Sequence, residues 1–161
     1  MAHTARAIVI DDDPFSRDFL KDFLNEAFPE MIVDTRENPV ADGDYDIFFL
    51  DNDFDGQPMA GTLARSIRDR TDKGLVIAFS GTLDNEILKD LLNAGCNGVC
   101  DKTNPGDLPT VMRVVREFVA ELESQSTQGK GGILGAIRSI SSLLSEWNRR
   151  LEDQEKDLDR G

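Results

Sequence analysis

Positive charge is scarce in this chain of 161 residues, which has 18 Lys and Arg against 31 Asp and Glu and a net charge of −13. Binding to nucleic acid or to an anionic membrane surface draws on clustered Lys and Arg, and the sequence contains no such cluster. The acidic excess lies wholly in the first 123 residues, because residues 124–161 carry six charges of each sign. The sequence therefore argues against a nucleic-acid binder and predicts a region that attracts cations.

Long apolar runs and cysteines are also few. No run approaches the ~20 apolar residues that span a bilayer, and the N-terminus lacks a signal-like apolar core, so we expect a cytoplasmic protein with no integral membrane segment. The two cysteines, Cys96 and Cys100, lie in apolar surroundings without a nearby His. This pattern predicts buried free thiols rather than a zinc site or a disulfide.

Short apolar segments alternate with amphipathic segments through the first 123 residues. The apolar segments are typical of strands buried on both faces, and the amphipathic ones carry apolar residues at helical spacing. We predict strands at 7–10, 31–35, 47–50, 75–79 and 98–100, and helices at 14–28, 63–70, 84–95 and 108–123, with a polar loop at 36–44. Five such alternations predict an α/β fold with a parallel sheet that is covered on both faces.

Every predicted strand except the second ends in a residue of chemical interest. These residues are the triplet Asp11-Asp12-Asp13, then Asp51, Ser80 and Lys102. Right-handed crossovers bring the carboxyl ends of parallel strands to one edge, so we expect these side chains to converge. Crowded carboxylates favour a divalent cation with oxygen ligands, most plausibly Mg²⁺. The set predicts a phosphoryl site in which Asp51 is the nucleophile and Ser80 and Lys102 contact phosphoryl oxygens.

The ordered set of an acidic pair, Asp51, Ser80 and Lys102 resembles that of receiver domains of bacterial two-component response regulators, over residues 5 to about 122. The resemblance implies a flavodoxin-like sheet with strand order 2-1-3-4-5. It also implies a phosphorelay protein that accepts a phosphoryl group from a histidine kinase or phosphotransfer protein and signals through protein–protein contacts. We expect no turnover of a separate substrate.

The resemblance assigns a role to each matching position. Asp51 would be phosphorylated, and Mg²⁺ would be held by Asp11, Asp12 and Asp51, with the backbone carbonyl of Asp53 completing the shell and Asp12 touching the metal directly. Two positions depart from the family pattern, since Thr103 replaces the usual proline after the lysine and Val99 replaces the aromatic residue that swings inward on activation. These departures concern the conformational response more than the phosphorylation chemistry.

Two other functions are compatible with parts of the sequence. Leu50-Asp51-Asn52-Asp53 is similar to the opening motif of haloacid-dehalogenase-like Mg²⁺-dependent phosphatases, in which the second Asp is the acid/base. In those enzymes the metal-binding acidic pair comes last in the chain, whereas here it comes first. A binding module that works without phosphorylation is disfavoured because every phosphorylation position is filled.

The last part of the chain is predicted to be separate from the receiver domain of residues 1–123. Residues 124–132 are rich in Ser, Gln and Gly and predict a flexible linker. In residues 133–161, apolar residues repeat with 4-3-4-3-4 spacing and predict an amphipathic, coiled-coil-like helix. The seam consists of Ile133, Ile137, Ile140, Leu144, Trp147, Leu151 and Leu158. It could fold back on the receiver, bind a partner helix through residues 133–158, or form a parallel homodimer, which we favour.

Overall fold

The computed structural model describes residues 3–128 and 133–159. In chain order the strands are β1 (Arg6–Ile10), β2 (Ile32–Arg36), β3 (Ile47–Asp51), the two-residue strands β4 (Asp53–Phe54) and β5 (Gln57–Pro58), β6 (Leu75–Ser80) and β7 (Gly98–Asp101). Five of them form one parallel sheet in the order β2-β1-β3-β6-β7, while β4 and β5 form a separate antiparallel hairpin. With the hairpin set aside, this is the predicted order 2-1-3-4-5, so the flavodoxin-like fold class is confirmed.

The sheet is buried most deeply at its centre. Every residue of β3 and of β6 is buried, which is why these segments read as uninterrupted apolar runs in the sequence. Phe48 and Phe49 point to opposite faces of β3, and both are 1% exposed. The core therefore has two layers of side chains, one on each side of the sheet.

The first three helices are α1 (Pro14–Ala27), α2 (Ala60–Arg70) and α3 (Asn85–Asn93). Asp13 caps α1 by accepting a hydrogen bond from the Phe15 backbone N–H, and Asp84 caps α3 by accepting one from the Ile87 N–H at 2.8 Å. Gly95 follows α3 with φ of +113°, a backbone conformation that glycine adopts without steric cost. The predicted start and stop of α3 are thus confirmed.

No helix connects β2 to β3, in agreement with the polar loop predicted at 36–44. Two arginines hold this loop by donating to its backbone carbonyls. Arg36 donates to the Val40 carbonyl at 2.6 Å, and Arg70 of α2 donates to the carbonyls of Ala41 and Gly43. The loop is therefore tied to its own strand and to a neighbouring helix.

The last two helices are α4 (Asp107–Gln128) and α5 (Ile133–Asp159). The predicted helix end at residue 123 is wrong, because α4 continues through residues 124–128, which were assigned to the predicted linker at 124–132. The domain boundary at residue 123 stays a prediction. No Gly or Pro occurs between Glu123 and Gln128, so nothing in the sequence ends the helix there. The remainder of the predicted linker, residues 129–132, lies outside the described residues.

Helix α5 packs against α3, α4 and β7 of its own chain. Four residues of the predicted seam, Ile140, Leu144, Trp147 and Leu151, are buried there. In this part of the helix the seam is covered by the α/β domain of the same chain, which is one of the three arrangements left open by the sequence. The homodimer stays a prediction, and it would require α5 to leave this position. The side chains of Ile133, Ile137 and Leu158 lie outside the described ones.

Cys96 and Cys100 are buried free thiols, as predicted. Burial raises the pKa of each thiol to about 12, so both are protonated and unreactive at neutral pH. Within residues 3–128 and 133–159, no helix combines the length and apolar character needed to cross a membrane.

Candidate functional site

The strand ends that carry the candidate residues lie in register at one edge of the sheet. Ile10 pairs with Leu50, so Asp11 and Asp51 leave β1 and β3 at the same level. Asp51 pairs with Phe79, and Ser80 at the end of β6 pairs with Asp101, which precedes Lys102. The structure therefore brings Asp11, Asp51, Ser80 and Lys102 to one edge, as the parallel topology requires.

Three carboxylates form a compact cluster at this edge. Each of Asp11, Asp12 and Asp51 offers an oxygen that lies within 4.8 Å of the others. Asp51 and Asp11 are buried, at 4% and 5% exposed, whereas Asp12 is exposed to solvent. The cluster therefore has two buried members and one that faces water, from which an ion could enter.

Lys102 is the cation nearest to this cluster. Its Nζ atom lies 2.6 Å from Asp51 Oδ1 and 3.4 Å from Asp11 Oδ2. Burial lowers the pKa of Lys102, but the attraction of Asp51 and Asp11 outweighs burial, and the net pKa is raised. Lys102 is therefore a permanent positive charge that bridges β7 to β3 and to the end of β1.

Burial raises the pKa of Asp51 from its ordinary value of 3.8 to about 6, despite the opposing effect of Lys102. The Asp11 charge raises it further, and the Asp53 backbone N–H acts in the lowering direction. Among the described residues, Lys102 is the partner of Asp51 Oδ1, and no other donor serves that buried oxygen. Asp51 is thus a carboxylate that is short of positive charge and of hydrogen bonds.

The donor set fits a divalent cation. Three carboxylates against one ammonium group leave a charge of −2 when all are ionised, and the ligand atoms are all oxygen. Hard divalent cations prefer such ligands, and Mg²⁺ binds to few protein oxygens and keeps several waters. Asp11, Asp12 and Asp51 could therefore hold Mg²⁺ beside the buried Asp51 oxygen.

Ser80 is buried at the same edge, but its hydroxyl is hydrogen-bonded to Thr82 and not to the carboxylates. Its Oγ donates to the Thr82 carbonyl and accepts from the Thr82 N–H at 3.3 Å. The structure thus places Ser80 at the expected strand end with its hydroxyl engaged in a local turn. Its contact with a phosphoryl oxygen stays a prediction, and it requires the hydroxyl to turn away from Thr82.

Asp53 lies outside the carboxylate cluster. It is exposed in β4, and its Oδ1 accepts a hydrogen bond from the Gly56 N–H at 3.1 Å across the hairpin turn. This geometry is consistent with a role for its backbone rather than its carboxylate. The metal contact through its carbonyl stays a prediction.

Two contacts that support the cluster were missed by reasoning from the sequence. Arg17 of α1 donates to the Asp11 carbonyl at 2.7 Å, and the Asp55 N–H donates to Asp12 Oδ2 at 3.1 Å. Asp55 and Gly56 form the tip of the β4–β5 hairpin with φ of 52° and 80°. An Asp-Gly pair is a strong signal for a tight hairpin, so the sequence did contain a signal for this second contact.

A cavity of about 390 Å³ opens beside the cluster, between α1 and the start of α4. Its walls are mainly apolar, including Phe79 and Cys100 from the sheet and Leu108 from α4, and it reaches Asp51 and Lys102. Phe19 of α1 lines it and is 59% exposed, and Phe15, one helical turn earlier, is 85% exposed. The site therefore has an exposed apolar rim on α1.

Comparison with known proteins finds relatives in structure alone. No protein-family model matches the sequence, and no curated protein is similar in sequence. The signal receiver domain of a DNA-binding response regulator from Colwellia psychrerythraea 34H has a TM-score of 0.64 at 22% identity, with 72% of this chain and 98% of that chain covered. A CheY-like response regulator receiver domain protein from Methanospirillum hungatei JF-1 has a TM-score of 0.63 at 20% identity, with 76% and 99% covered.

A third similar structure is a response regulator protein from Burkholderia pseudomallei, solved with a phosphorylated aspartic acid, a calcium ion and citrate. Its TM-score is 0.59 at 12% identity, with 79% of this chain and 75% of that chain covered. The likeness in all three is one of fold. This chain therefore has the fold of a response regulator receiver domain.

Proposed function

We propose that this protein is a response regulator that accepts a phosphoryl group on Asp51 from a histidine kinase or phosphotransfer protein, in a Mg²⁺-dependent reaction. The observation that carries the proposal is the setting of Asp51. Its buried carboxylate lies within 4.8 Å of Asp11 and Asp12 and 2.6 Å from Lys102. Because a histidine kinase acts inside the cell, the proposal also places the protein in the cytoplasm.

In the proposed step, an Asp51 oxygen attacks the phosphorus of a phosphohistidine. A P–O bond forms, the P–N bond breaks, and the electron pair returns to the imidazole of the donor. Lys102 pairs with one phosphoryl oxygen, and the Ser80 hydroxyl donates to another. Mg²⁺ held by Asp11, Asp12 and Asp51 and by the Asp53 carbonyl would neutralise charge on the phosphoryl oxygens.

The raised pKa of Asp51 supports the role of nucleophile. With a pKa of about 6, the carboxylate is mostly ionised at pH 7 and yet poorly solvated, so it is available for attack. The partly exposed Lys102 is already within reach of the reacting oxygen. Positioning and charge neutralisation supply most of the acceleration in phosphoryl transfer, and both are provided by residues that the fold holds in register.

The exposed rim on α1 supports docking of the donor. Phe19 lines the cavity that reaches Asp51, and Phe15 is exposed one helical turn earlier, so an apolar face of the donor could pack there and present its phosphohistidine to the site. Exposed aromatic residues beside a reactive group are unusual on a free surface and are enriched at contact sites. We therefore propose that the donor binds across α1.

The test is phosphorylation by a small phosphodonor such as acetyl phosphate, followed by intact-mass spectrometry. The wild-type protein should gain one phosphoryl group in Mg²⁺ and none in excess EDTA. Asp51→Asn should lose labelling, whereas Asp44→Asn, the same change at an exposed carboxylate in the loop between β2 and β3, should label like wild type. Labelling of Asp51→Asn at the wild-type rate would show that the acceptor is another residue.

A further inference from the structure

Helix α5 packs across a face of the α/β domain that consists of α3, β7 and α4. Strand β7 is at the edge of the sheet, so without α5 this edge would be exposed along its length. Ile140, Leu144, Trp147 and Leu151 supply the buried stripe that faces the receiver. The face and the helix are therefore two apolar surfaces that shield each other.

The position of α5 is set by the first residues of β7. The six-membered ring of Trp147 packs so closely on Gly98 that a Cβ at this position would overlap it. Asn148 donates from Nδ2 to the Asn97 carbonyl at 3.0 Å, and the Asn97 side chain in turn accepts from Arg68 of α2 at 2.9 Å. Trp147 and Asn148 therefore give α5 a defined register on the receiver.

This docking is less complete than the packing of the core. Trp147 Nε1 and Asn148 Oδ1 are both buried, and neither finds a hydrogen-bond partner among the described residues. A second cavity, of about 200 Å³, separates Leu143 and Leu151 of α5 from Asp107 at the start of α4. Buried polar groups without partners and voids both weaken an interface, so α5 is held less tightly than a fully packed and hydrogen-bonded contact would hold it.

The second cavity and the site share a wall, the loop between Lys102 and α4. Asn104 lines both cavities. The loop is tied at each end, because the Lys102 N–H donates to the Ser80 carbonyl and the Asp101 N–H donates to Asp107 Oδ2, each at 2.9 Å. A displacement of Lys102 or Ser80 would therefore move the surface on which α5 rests.

We propose that α5 is an intramolecular cover for the α3–β7–α4 face and that loading of Asp51 releases it. The release step rests on the proposed function, since it needs a phosphoryl group at Asp51. Loading moves Lys102 from Asp11 toward a phosphoryl oxygen and draws the Ser80 hydroxyl away from Thr82, so the end of the loop that follows β7 shifts. Released, the helix and the face become available together as binding surfaces for other helices.

The test is hydrogen–deuterium exchange of the full chain with and without Mg²⁺ and beryllium fluoride. Release predicts a rise of about tenfold or more in the exchange rate of residues 140–151, while β3 at the centre of the sheet is unchanged. Fluorine NMR of the same samples reports whether the phosphoryl analogue is bound. A bound analogue with unchanged exchange in α5 overturns the release and leaves the proposed function standing. An analogue that does not bind overturns both.

The cover itself is tested without any ligand. Gly98→Ala places a methyl group where the Trp147 ring lies, so it should raise the exchange of residues 140–151 and shift the Trp147 emission to longer wavelength. Trp147 is the single tryptophan of the chain, so the signal has one source. Gly61→Ala is the matched control, because its Cβ would have only ordinary contacts in α2. Leu144→Asp should reproduce the effect with β7 unaltered, and wild-type exchange in both variants overturns the proposal.

Discussion

Replacing Asp51 with Asn should stabilise the metal-free protein, even though Asp51 is the residue on which the proposed function depends. Asp51 is 4% exposed and shares a small volume with Asp11 and Asp12, and one partly exposed ammonium group opposes the three carboxylates. An amide of the same size removes one charge from this cluster and keeps the packing. The stability of this variant therefore measures the electrostatic cost of burying the Asp51 charge in metal-free buffer.

The size of the effect follows from the pKa of Asp51. A rise from 3.8 to about 6 corresponds to about 3 kcal/mol of destabilisation at pH 7, at about 1.4 kcal/mol per pKa unit. This figure already includes the attraction of Lys102, and the amide that replaces the carboxylate keeps part of the cost of burying a polar group with few hydrogen-bond partners. We therefore expect a net gain of about 1–2 kcal/mol, or about 3–6 °C in Tm for a chain of this length.

The pH dependence has a definite sign. The folded state binds a proton on Asp51 more tightly than the unfolded state does, because its folded pKa of about 6 lies above the ordinary value of 3.8. The contribution of Asp51 to the free energy of unfolding of the wild-type protein should therefore fall as pH rises from 3.8 to about 6, and the fall is complete above that range. Asp51→Asn should lack this component, so the two stability curves should converge as pH falls.

Thermal or urea unfolding in EDTA between pH 4 and pH 8 gives the comparison, with Asp44→Asn as the control for an exposed carboxylate. Added Mg²⁺ should then stabilise wild type by about 1.4 kcal/mol at ten times its Kd, and stabilise Asp51→Asn less. The reasoning is refuted if Asp51→Asn is no more stable than wild type in EDTA at pH 7, or if the two proteins have the same pH dependence.

Three further outcomes are expected. Steady-state hydrolysis of phosphomonoesters should be negligible, because the proposed function has no separate substrate to release. Sustained Mg²⁺-dependent turnover that Asp53→Asn abolishes would instead identify a haloacid-dehalogenase-like phosphatase. Light scattering should find a monomer before loading, since Leu144 and Leu151 are buried within the chain. A dimer of the unloaded protein that Leu144→Asp with Leu151→Asp dissociates would contradict this. Arg68→Ala should cost about 1–3 kcal/mol in urea unfolding, because the hydrogen bonds from Arg68 to Gly95 and Asn97 are lost, and wild-type stability would show that they contribute little.

The sequence contained enough information for the fold and for the location of the site. An uninterrupted apolar run such as Ile47–Leu50 can be satisfied only by a strand that is covered on both faces. Once such strands alternate with helices, the parallel topology dictates that their carboxyl ends share an edge. The sequence therefore predicts that Asp51 and Lys102 lie close together in space, although 51 positions separate them in the chain.

The pKa of Asp51 and the hydrogen bonding of Ser80 depend on side-chain positions that no local sequence pattern specifies. The raised pKa of Asp51 comes from burial and from the distances to Asp11 and Lys102, which are set by side-chain packing around the edge. The orientation of Ser80 toward Thr82 is likewise a choice between two hydrogen-bonding arrangements that the same sequence allows. Spacing in the sequence predicts proximity, whereas hydrogen-bond partners are decided by geometry.

The tail shows most clearly which properties the sequence determines and which ones only the tertiary structure decides. Its 4-3-4-3-4 spacing determines that residues 133–158 form a helix with one apolar stripe, because only a helix aligns those positions. The pattern does not determine what covers the stripe, since a twin helix, a partner and the receiver all offer apolar surface. In the tertiary structure the α/β domain covers the stripe, because β7 is an edge strand whose Gly98 leaves room for the Trp147 ring.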